Sequence, residues 1–279
     1  MPETQRANLN HWQRAAYGFG DFGFNLYWTT VSFFILYYYT DVVGLSGTVA
    51  GLIFLTAMLW DSLIDPVVGY MAQRTKSRWG CYRPYFLFGA IPLALSLVLT
   101  FYNPDLEGSA LIASVLLAHM FFRTAYTVVN IPYSALSAKI TQSTEIRNNL
   151  SAWRISFATI GSALVAYSTL RLVEAFGQGD ASYGFLLTAA LYAGLSIPAF
   201  LILFFTVQET LNNRVMALRD TLQSSGLDKR WLNKGAVCRF GQFEVLERVQ
   251  DIGVQNSRIG PLLCTRKGIK HRLGALEPL

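Results

Sequence analysis

The sequence predicts an all-α membrane protein, with six transmembrane helices followed by a basic cytoplasmic tail. Two observations predict this class. Hydrophobic residues make up 52% of the 279 residues and charged residues only 14%, whereas soluble domains are about 25% charged. The apolar residues also cluster into runs of the ~20 residues that an α-helix needs to cross a bilayer. The basic residues are most frequent after the last of these runs.

Six segments are long and apolar enough to be transmembrane helices. Short loops rich in glycine, proline and aspartate separate them, for example GLSG at 44–47 and NPDLEG at 103–108. The predicted spans are residues 17–40, 46–72, 84–103, 109–137, 150–174 and 184–207. They define a predicted membrane domain, 1–209. Its N-terminus lacks a short apolar core before a small-residue cleavage site, so we expect no removable signal peptide.

The distribution of Lys and Arg predicts the orientation of the spans. One set of loops holds eight of them: Arg6, Arg14, Arg74, Lys76, Arg78, Arg83, Lys139 and Arg147. The opposite set holds only Arg171. Because cytoplasmic loops carry the excess of Lys and Arg, we predict an inner-membrane protein with both termini in the cytoplasm.

Residues 210–279 form the predicted basic tail, which we expect to be disordered or to result from a reading-frame change. They contain 12 Lys and Arg but 6 Asp and Glu, a difference equal to the net charge of +6 of the whole chain. The tail has no apolar run of membrane-spanning length. Its charge comes with no nucleic-acid recognition motif, so a soluble or disordered tail, able to contact anionic lipid, is favoured over a nucleic-acid role.

Cysteine and histidine residues indicate neither a disulfide framework nor a metal site. Cys81, Cys238 and Cys264 are far apart, and no CxxC or paired His–Cys spacing occurs. We therefore expect no cofactor.

Two carboxylates stand inside the second apolar segment, in the stretch WDSLIDP at residues 60–66. Asp61 and Asp65 are four residues apart and share one helix face, and Pro66 is expected to kink that helix. Because a charge in the bilayer is costly, this face is expected to line the bundle interior or a water-filled cavity. A structural ion pair with Arg123 or Arg154 is the alternative.

Three further spans carry polar side chains at helical spacing. These residues are Asp21, Asn25, Trp28 and Ser32 in the first span; Arg123, Tyr126, Thr127, Asn130 and Ser134 in the fourth; and Ser151 and Arg154 in the fifth. They predict a polar cavity shared by four helices. Packing is the alternative for Trp28 and Tyr126, and the expectation for His119. Anchoring at the membrane surface is the expectation for the tyrosines at 37–39.

Six motifs, in order, resemble those of the glycoside–pentoside–hexuronide:cation symporters, the melibiose-carrier family of the major facilitator superfamily. The motifs are YGFGDFGFN at 17–25, YYYTDVVGL at 37–45, WDSLIDP at 60–66, RTKSRWGCYRP at 74–84, NIPYSAL at 130–136 and EIRNNLSAWR at 145–154. The resemblance covers residues 17–207 and fades after Glu209. It implies one six-helix half of a twelve-helix transporter.

The resemblance also implies roles for individual residues. Asp61, Asp65 and Thr127 would bind the coupling cation, H+ or Na+. The sugar or glycoside would be bound by Asp21, Asn25, Tyr126, Asn130 and Arg154. The basic loop with Arg74, Arg78 and Arg83 would act as a cytoplasmic gate that pairs with acidic residues and helix ends. Two six-helix units, in a homodimer or with a C-terminal half that is missing here, would complete the transporter.

Several positions depart from the melibiose carrier. That protein has carboxylates where this chain has Asn25 and Asn130, a Lys in place of Phe24, and a sugar-stacking Trp in place of Ser134. It also has an Asn in its cation site where this chain has Ile64, which favours H+ over Na+. Glucuronide and pentoside carriers share the Asn-Ile-Pro-Tyr segment, so a substrate of their kind is expected.

Two interpretations other than a symporter half were considered. The first is a non-transporting membrane protein, either a truncated remnant or an interaction protein. An intramembrane aspartyl enzyme is disfavoured because such enzymes take their two acids from different helices, so we predict a protein that is not an enzyme.

Overall fold

The computed structural model describes residues 10–75, 77–141 and 144–207, and within them all regular structure is helical. The helices are α1 (His11–Tyr37), α2 (Gly47–Arg74), α3 (Arg83–Thr100), α4 (Gly108–Ile140), α5 (Thr144–Gly177) and α6 (Ala181–Thr206). A π-helical turn, Tyr38–Val42, continues α1. The predicted basic tail and the extreme N-terminus lie outside the described residues, as do Lys76 and the side chain of Lys139.

Each predicted span lies on one of these helices, and the largest differences are at the ends. Helix α5 begins at Thr144 rather than at the predicted 150, because its first turns are polar and extend beyond the apolar run. Helix α1 likewise begins at His11 rather than at the predicted 17, and helix α3 ends at Thr100, before the predicted 103. Pro66 lies inside α2, which continues through it from Gly47 to Arg74.

Five helices among the described residues, α2 to α6, are long and apolar enough to cross a membrane by length and composition. Helix α1 is not among them, although its 27 residues span about 40 Å at ~1.5 Å per residue. The crossing of the membrane by α1 therefore stays a prediction.

Helix α1 lies within the bundle, packed against α5 and α6. Helix α2 packs on α4, and α3 packs between α4 and α6. Tyr17 on α1 and Tyr133 on α4 connect the two sides through reciprocal hydrogen bonds: the Tyr133 hydroxyl donates to the Tyr17 carbonyl at 2.7 Å, and the Tyr17 hydroxyl to the Tyr133 carbonyl at 3.3 Å. Their rings stack at 5.0 Å between centroids.

The tyrosines at 37–39 were expected to anchor the helix at the membrane surface, and for two of them this prediction is wrong. Tyr38 and Tyr39 are buried, and only Tyr37 is exposed. The Tyr38 hydroxyl donates to the Phe101 carbonyl at 2.8 Å, and the Tyr39 hydroxyl lies 3.3 Å from His119 Nδ1. Both residues continue the buried face of α1, three and four residues after the buried Ile35, and internal partners satisfy their hydroxyls. His119 is fully buried, as predicted for a packed polar residue.

Glycines allow α1 and α5 to approach closely. A Cβ atom at Gly18 would lie 2.8 Å from the backbone of Trp153, and one at Gly161 would lie 3.1 Å from the Phe22 carbonyl oxygen. Both distances are shorter than ordinary van der Waals contact. This close seam places the polar side chains of α1 directly opposite those of α5.

Candidate functional site

The two carboxylates of α2 meet the hydroxyl of Thr127 on α4. Thr127 Oγ1 lies 2.8 Å from Asp61 Oδ1 and 3.1 Å from Asp65 Oδ1. A hydroxyl has one proton to donate, so Thr127 serves one carboxylate at a time and lies between the two. The helix register predicted this shared face for Asp61 and Asp65, and α2–α4 packing adds the third oxygen. These three residues, which we call the acidic cluster, present the oxygen ligands that hard cations prefer.

Arg123, one turn before Thr127 on α4, forms an ion pair with Asp61, with Nη1 3.4 Å from Oδ2. Its side chain is buried, and the Nε–H group has no hydrogen-bond partner in the part of the chain that the structure describes. The guanidinium carbon lies 5.1 Å from the ring centre of Trp28 and 5.6 Å from that of Phe54. The alternative ion pair considered for Asp61 is thus present, and with Arg123 rather than Arg154.

Asp21 on α1 pairs with Arg154 on α5 across the close seam between the two helices. Arg154 Nε donates to Asp21 Oδ2, and its Nη2 lies 3.4 Å from Oδ1. The Arg154 guanidinium also lies 4.7 Å from the ring centre of Tyr133. Asp21 is buried and Arg154 is partly exposed. This fork-like contact fixes the planar guanidinium at the wall of an open pocket.

The pocket beside this ion pair has a volume of about 300 Å³. It is lined by Asp21, Ser151, Arg154, Ile155 and Ala158. Ser151, Arg154 and Ala158 recur at helical spacing along one face of α5. A carboxylate, a guanidinium and a hydroxyl on one wall are groups that hydrogen-bond well to polyols.

Asn25 continues the polar seam one turn above Asp21. Its Nδ2 donates to the Asp21 carbonyl at 2.8 Å, and its Oδ1 accepts from the Ser162 hydroxyl at 3.0 Å. Ser162 in turn lies 3.0 Å from Thr29 Oγ1. Ser162 and Thr29 were not among the residues predicted from the sequence. Thr29 nevertheless lies four residues after Asn25, and Ser162 lies eight residues, or about two turns, after Arg154.

Tyr126 lies between the acidic cluster and the α1–α5 seam. Its ring contacts those of Phe24 and Trp28, with centroids 5.7 and 5.5 Å apart, and it is within electrostatic range of both ion pairs. Asn130 is half-buried one turn further along α4. Within the described ranges, its amide makes no hydrogen bond and so has capacity for a ligand. The residues predicted to bind the sugar thus comprise the polar seam of Asp21, Asn25 and Arg154, the ring of Tyr126, and the amide of Asn130.

The predicted gate residues lie at one end of the bundle. Arg83 donates to the Phe204 carbonyl, with Nε 3.1 Å and Nη2 2.5 Å from the oxygen. Phe204 belongs to the last turn of α6, where carbonyls lack helical partners and attract cations. Arg74 stacks on Tyr70 and Arg78 on Trp79, at 4.0 and 4.3 Å from the ring centres. Of the three, Arg83 contacts a helix end.

These features define a multi-pass membrane protein whose polar interior groups form two ion-paired clusters. Comparison with known proteins then identifies the family. The MFS/sugar transport protein family matches residues 16–230, more than half of the chain. The chain belongs to this family and, within it, to the glycoside–pentoside–hexuronide:cation symporters, which are transporters and not enzymes. The match extends beyond Glu209, where the resemblance was expected to fade.

Individual relatives agree with this assignment. A putative glycoside/cation symporter of Escherichia coli (strain K12) is 36% identical over 197 residues, which are 70% of this chain and 43% of the relative. An inner membrane symporter of the same organism is 32% identical over 241 residues, or 85% and 52%. The isoprimeverose transporter of Lactiplantibacillus pentosus is 32% identical over 216 residues, or 75% and 45%. The chain therefore spans about half the length of these curated relatives.

Proposed function

We propose that the chain forms the N-terminal half of a sugar:cation symporter that works by alternating access in the inner membrane. The observation that carries this proposal is the acidic cluster, in which one hydroxyl on α4 lies within hydrogen-bond distance of two carboxylates on α2. A membrane-embedded pair of carboxylates is costly, so a function that uses them explains their presence. Relatives named as symporters support the same conclusion.

In this proposal, Asp61, Asp65 and Thr127 bind the coupling cation. H+ is favoured over Na+ because Ile64 offers no oxygen ligand on the same helix face. Asp65 is the more exposed of the two carboxylates, so it is the one that a cation reaches first. Binding of the cation neutralises the cluster and thereby lowers the cost of moving the site across the bilayer.

The sugar binds, in this proposal, between the α1–α5 seam and Tyr126. Asp21 and Arg154 offer acceptor and donor groups at the pocket, and Asn130 offers a free amide. Asn25 positions Asp21 and Ser162 rather than contacting the sugar directly, because its side chain already forms hydrogen bonds with both residues. Tyr126 supplies the aromatic surface next to which the sugar ring lies. A glycoside or glucuronide is the expected substrate class.

A second six-helix unit closes the site from the other side. Asp65, Ser134 and Ser151 are exposed in the six-helix bundle, and a polar face of this kind is not stable against lipid. The covering unit is a second copy of the chain or a separate C-terminal half. The basic loop at 74–83 serves as the cytoplasmic gate, with Arg83 holding the end of α6 in the conformation described.

The proposal is tested by sugar uptake into proteoliposomes that contain the purified chain. The substrates are a β-glucuronide, a xyloside, an α-galactoside and isoprimeverose, each with an imposed H+ or Na+ gradient. We expect one gradient to drive uptake of one sugar, and Asp65→Asn to abolish that gradient dependence. Asp105→Asn, the same change at an exposed loop carboxylate, is the matched control and is expected to leave uptake unchanged.

Three other outcomes are distinguishable, and the first and the last of them contradict the proposal. Uptake that neither gradient affects would exclude cation coupling at Asp65. Saturable sugar binding by the folded chain without any uptake would favour a half-transporter that needs a separate C-terminal half, and an absence of both would favour the non-transporting interpretation.

A further inference from the structure

Arg123 occupies the position from which a coupling cation would neutralise Asp61. Its guanidinium lies 3.4 Å from Asp61 Oδ2, while the other carboxylate oxygen accepts from Thr127 at 2.8 Å. Both oxygens of Asp61 are therefore engaged by groups of α4. The side chain of Arg123 is 5% exposed, so its charge lies inside the bundle.

The surroundings of Arg123 fix its charge at this place. The rings of Trp28 and Phe54 flank the guanidinium at 5.1 and 5.6 Å, which is within the range of cation–π attraction. Two ion pairs are found among the described residues, and the acid of the second, Asp21, is taken by Arg154. Among the residues that the structure describes, Arg123 Nε has no hydrogen-bond partner, and the carboxylate that pairs with Arg123 is that of Asp61.

The number of charges decides what such a cluster can bind. Two carboxylates alone carry a charge of −2 and, with the Thr127 hydroxyl, offer several oxygen ligands to a Na+ ion. The guanidinium neutralises one of these two negative charges and occupies the Oδ2 side of Asp61. Because an arginine side chain stays protonated in proteins, this neutralisation is permanent. A metal cation bound at this side of Asp61 would have to displace the buried guanidinium from the carboxylate with which it pairs.

We propose that Arg123 is a built-in counter-cation that excludes Na+ from the acidic cluster, and that its removal creates a Na+ site formed by Asp61, Asp65 and Thr127. The inference rests on the proposed function only in assigning these three residues to the coupling cation. It assigns to Arg123 the role of a selectivity residue, in contrast to a purely structural role in joining α2 to α4.

The test measures Na+ binding by the full chain in detergent, without transport. Thermal unfolding is followed while NaCl replaces choline chloride at constant ionic strength, for the wild type, Arg123→Met and Arg123→Lys. Methionine keeps an apolar stem against Trp28 and Phe54 and removes the charge, whereas lysine keeps the charge. Arg171→Met, at an exposed arginine of α5, is the matched control for loss of a positive charge.

We expect Na+ to leave the melting temperature of the wild type, Arg123→Lys and Arg171→Met unchanged. In Arg123→Met, Na+ at ten times its Kd is expected to raise the melting temperature by about 3–6 °C. Adding Asp65→Asn to Arg123→Met is expected to abolish this rise. Intrinsic tryptophan fluorescence, to which Trp60 beside Asp61 and Trp28 beside Arg123 contribute, provides a second measure of the same binding.

Each contrary result overturns the inference. Na+-specific stabilisation of the wild type shows that the guanidinium does not exclude the ion, and this arm needs no variant to fold. If the folded Arg123→Met chain has the same melting temperature in NaCl and in choline chloride, the charge of Arg123 is not what prevents Na+ binding. Absence of both sugar binding and sugar uptake would contradict the proposed function and would leave these Na+ measurements unaffected, so the two failures are distinguishable.

Discussion

At the scale of single residues, the polar interior is organised by two ion pairs that differ in surroundings. Asp61–Arg123 joins α2 to α4, with the arginine buried and 21% of the Asp61 side chain exposed, and Asp21–Arg154 joins α1 to α5 beside an open pocket. Removing one partner of a buried pair leaves an uncompensated charge, which costs about 3–5 kcal/mol. Arg154 is partly exposed, so water reduces this cost in the second pair.

The first prediction concerns the Asp21–Arg154 pair. We expect Asp21→Asn and Arg154→Gln each to lower the melting temperature, and the double variant to be less destabilised than the sum of the two. The physical reason is that each single change leaves one charge without its counter-ion. Thermal unfolding of all four chains forms a double-mutant cycle that measures the coupling free energy.

Sugar binding supplies the second readout for the same four chains. If the pair forms one wall of the sugar site, the double variant regains stability without regaining affinity. Additive changes in melting temperature would show that the two side chains do not depend on each other, and this result would contradict the geometry.

At the scale of helices, close packing of α1 against α5 determines where the polar residues meet. Gly18 faces the backbone of Trp153, the residue before Arg154, and Asp21 lies one turn further along α1. The distance between the two helices at Gly18 thus controls the register of the ion pair.

We therefore predict that Gly18→Ala destabilises the bundle. The added Cβ atom would lie 2.8 Å from the Trp153 backbone, and overpacking of this kind costs typically about 1–3 kcal/mol. Gly51→Ala on α2 is the matched control, because no atom lies within 4 Å of its Cβ position. Melting temperatures of the two variants check the prediction. An equal response of both variants would show that helix propensity, rather than packing of α1 on α5, decides the effect.

Helical periodicity could predict which polar residues share a face, but it could not predict which faces meet. The spacing of Asp61 and Asp65 gave their common face, and the stripe on α4 correctly included Arg123 and Thr127. The pairing of Asp21 with Arg154, rather than with Arg123, depends on tertiary packing of α1 on α5. The prediction of surface anchoring was wrong for Tyr38 and Tyr39 because an aromatic run at the end of a span is also typical of interface anchoring, whereas both residues continue the buried face of α1 after Ile35.

At the scale of the whole molecule, α1 shows why apolar composition is a poor criterion for a membrane span when a helix is enclosed by other helices. It carries Asp21, Asn25 and Thr29 and is not among the helices that qualify as spans by composition. Yet its polar groups are satisfied by Arg154 and Ser162 of α5. A helix enclosed by other helices can therefore be more polar than one that faces lipid.

The last prediction is that α1 crosses the membrane and that the N-terminus is cytoplasmic. It follows from the concentration of Lys and Arg in alternate loops and from the packing of α1 along α5 and α6. The three native cysteines are first substituted. Trp12→Cys and Asp41→Cys then each introduce a single cysteine, at exposed positions near the two ends of this helical segment. In intact cells, a membrane-impermeant maleimide is expected to label Asp41→Cys, and to label Trp12→Cys only after permeabilisation.

Asp105→Cys and Glu145→Cys are the controls for the outer and the inner side, because both positions are exposed and flank helices that qualify as spans. Labelling of Trp12→Cys and Asp41→Cys from the same side would mean that α1 does not cross. In that case the α1–α5 seam could not extend through the bilayer, and the Asp21–Arg154 pair would lie at its surface. Labelling from opposite sides places this pair within the membrane, where a ligand reaches it only through a pathway that opens between the helices.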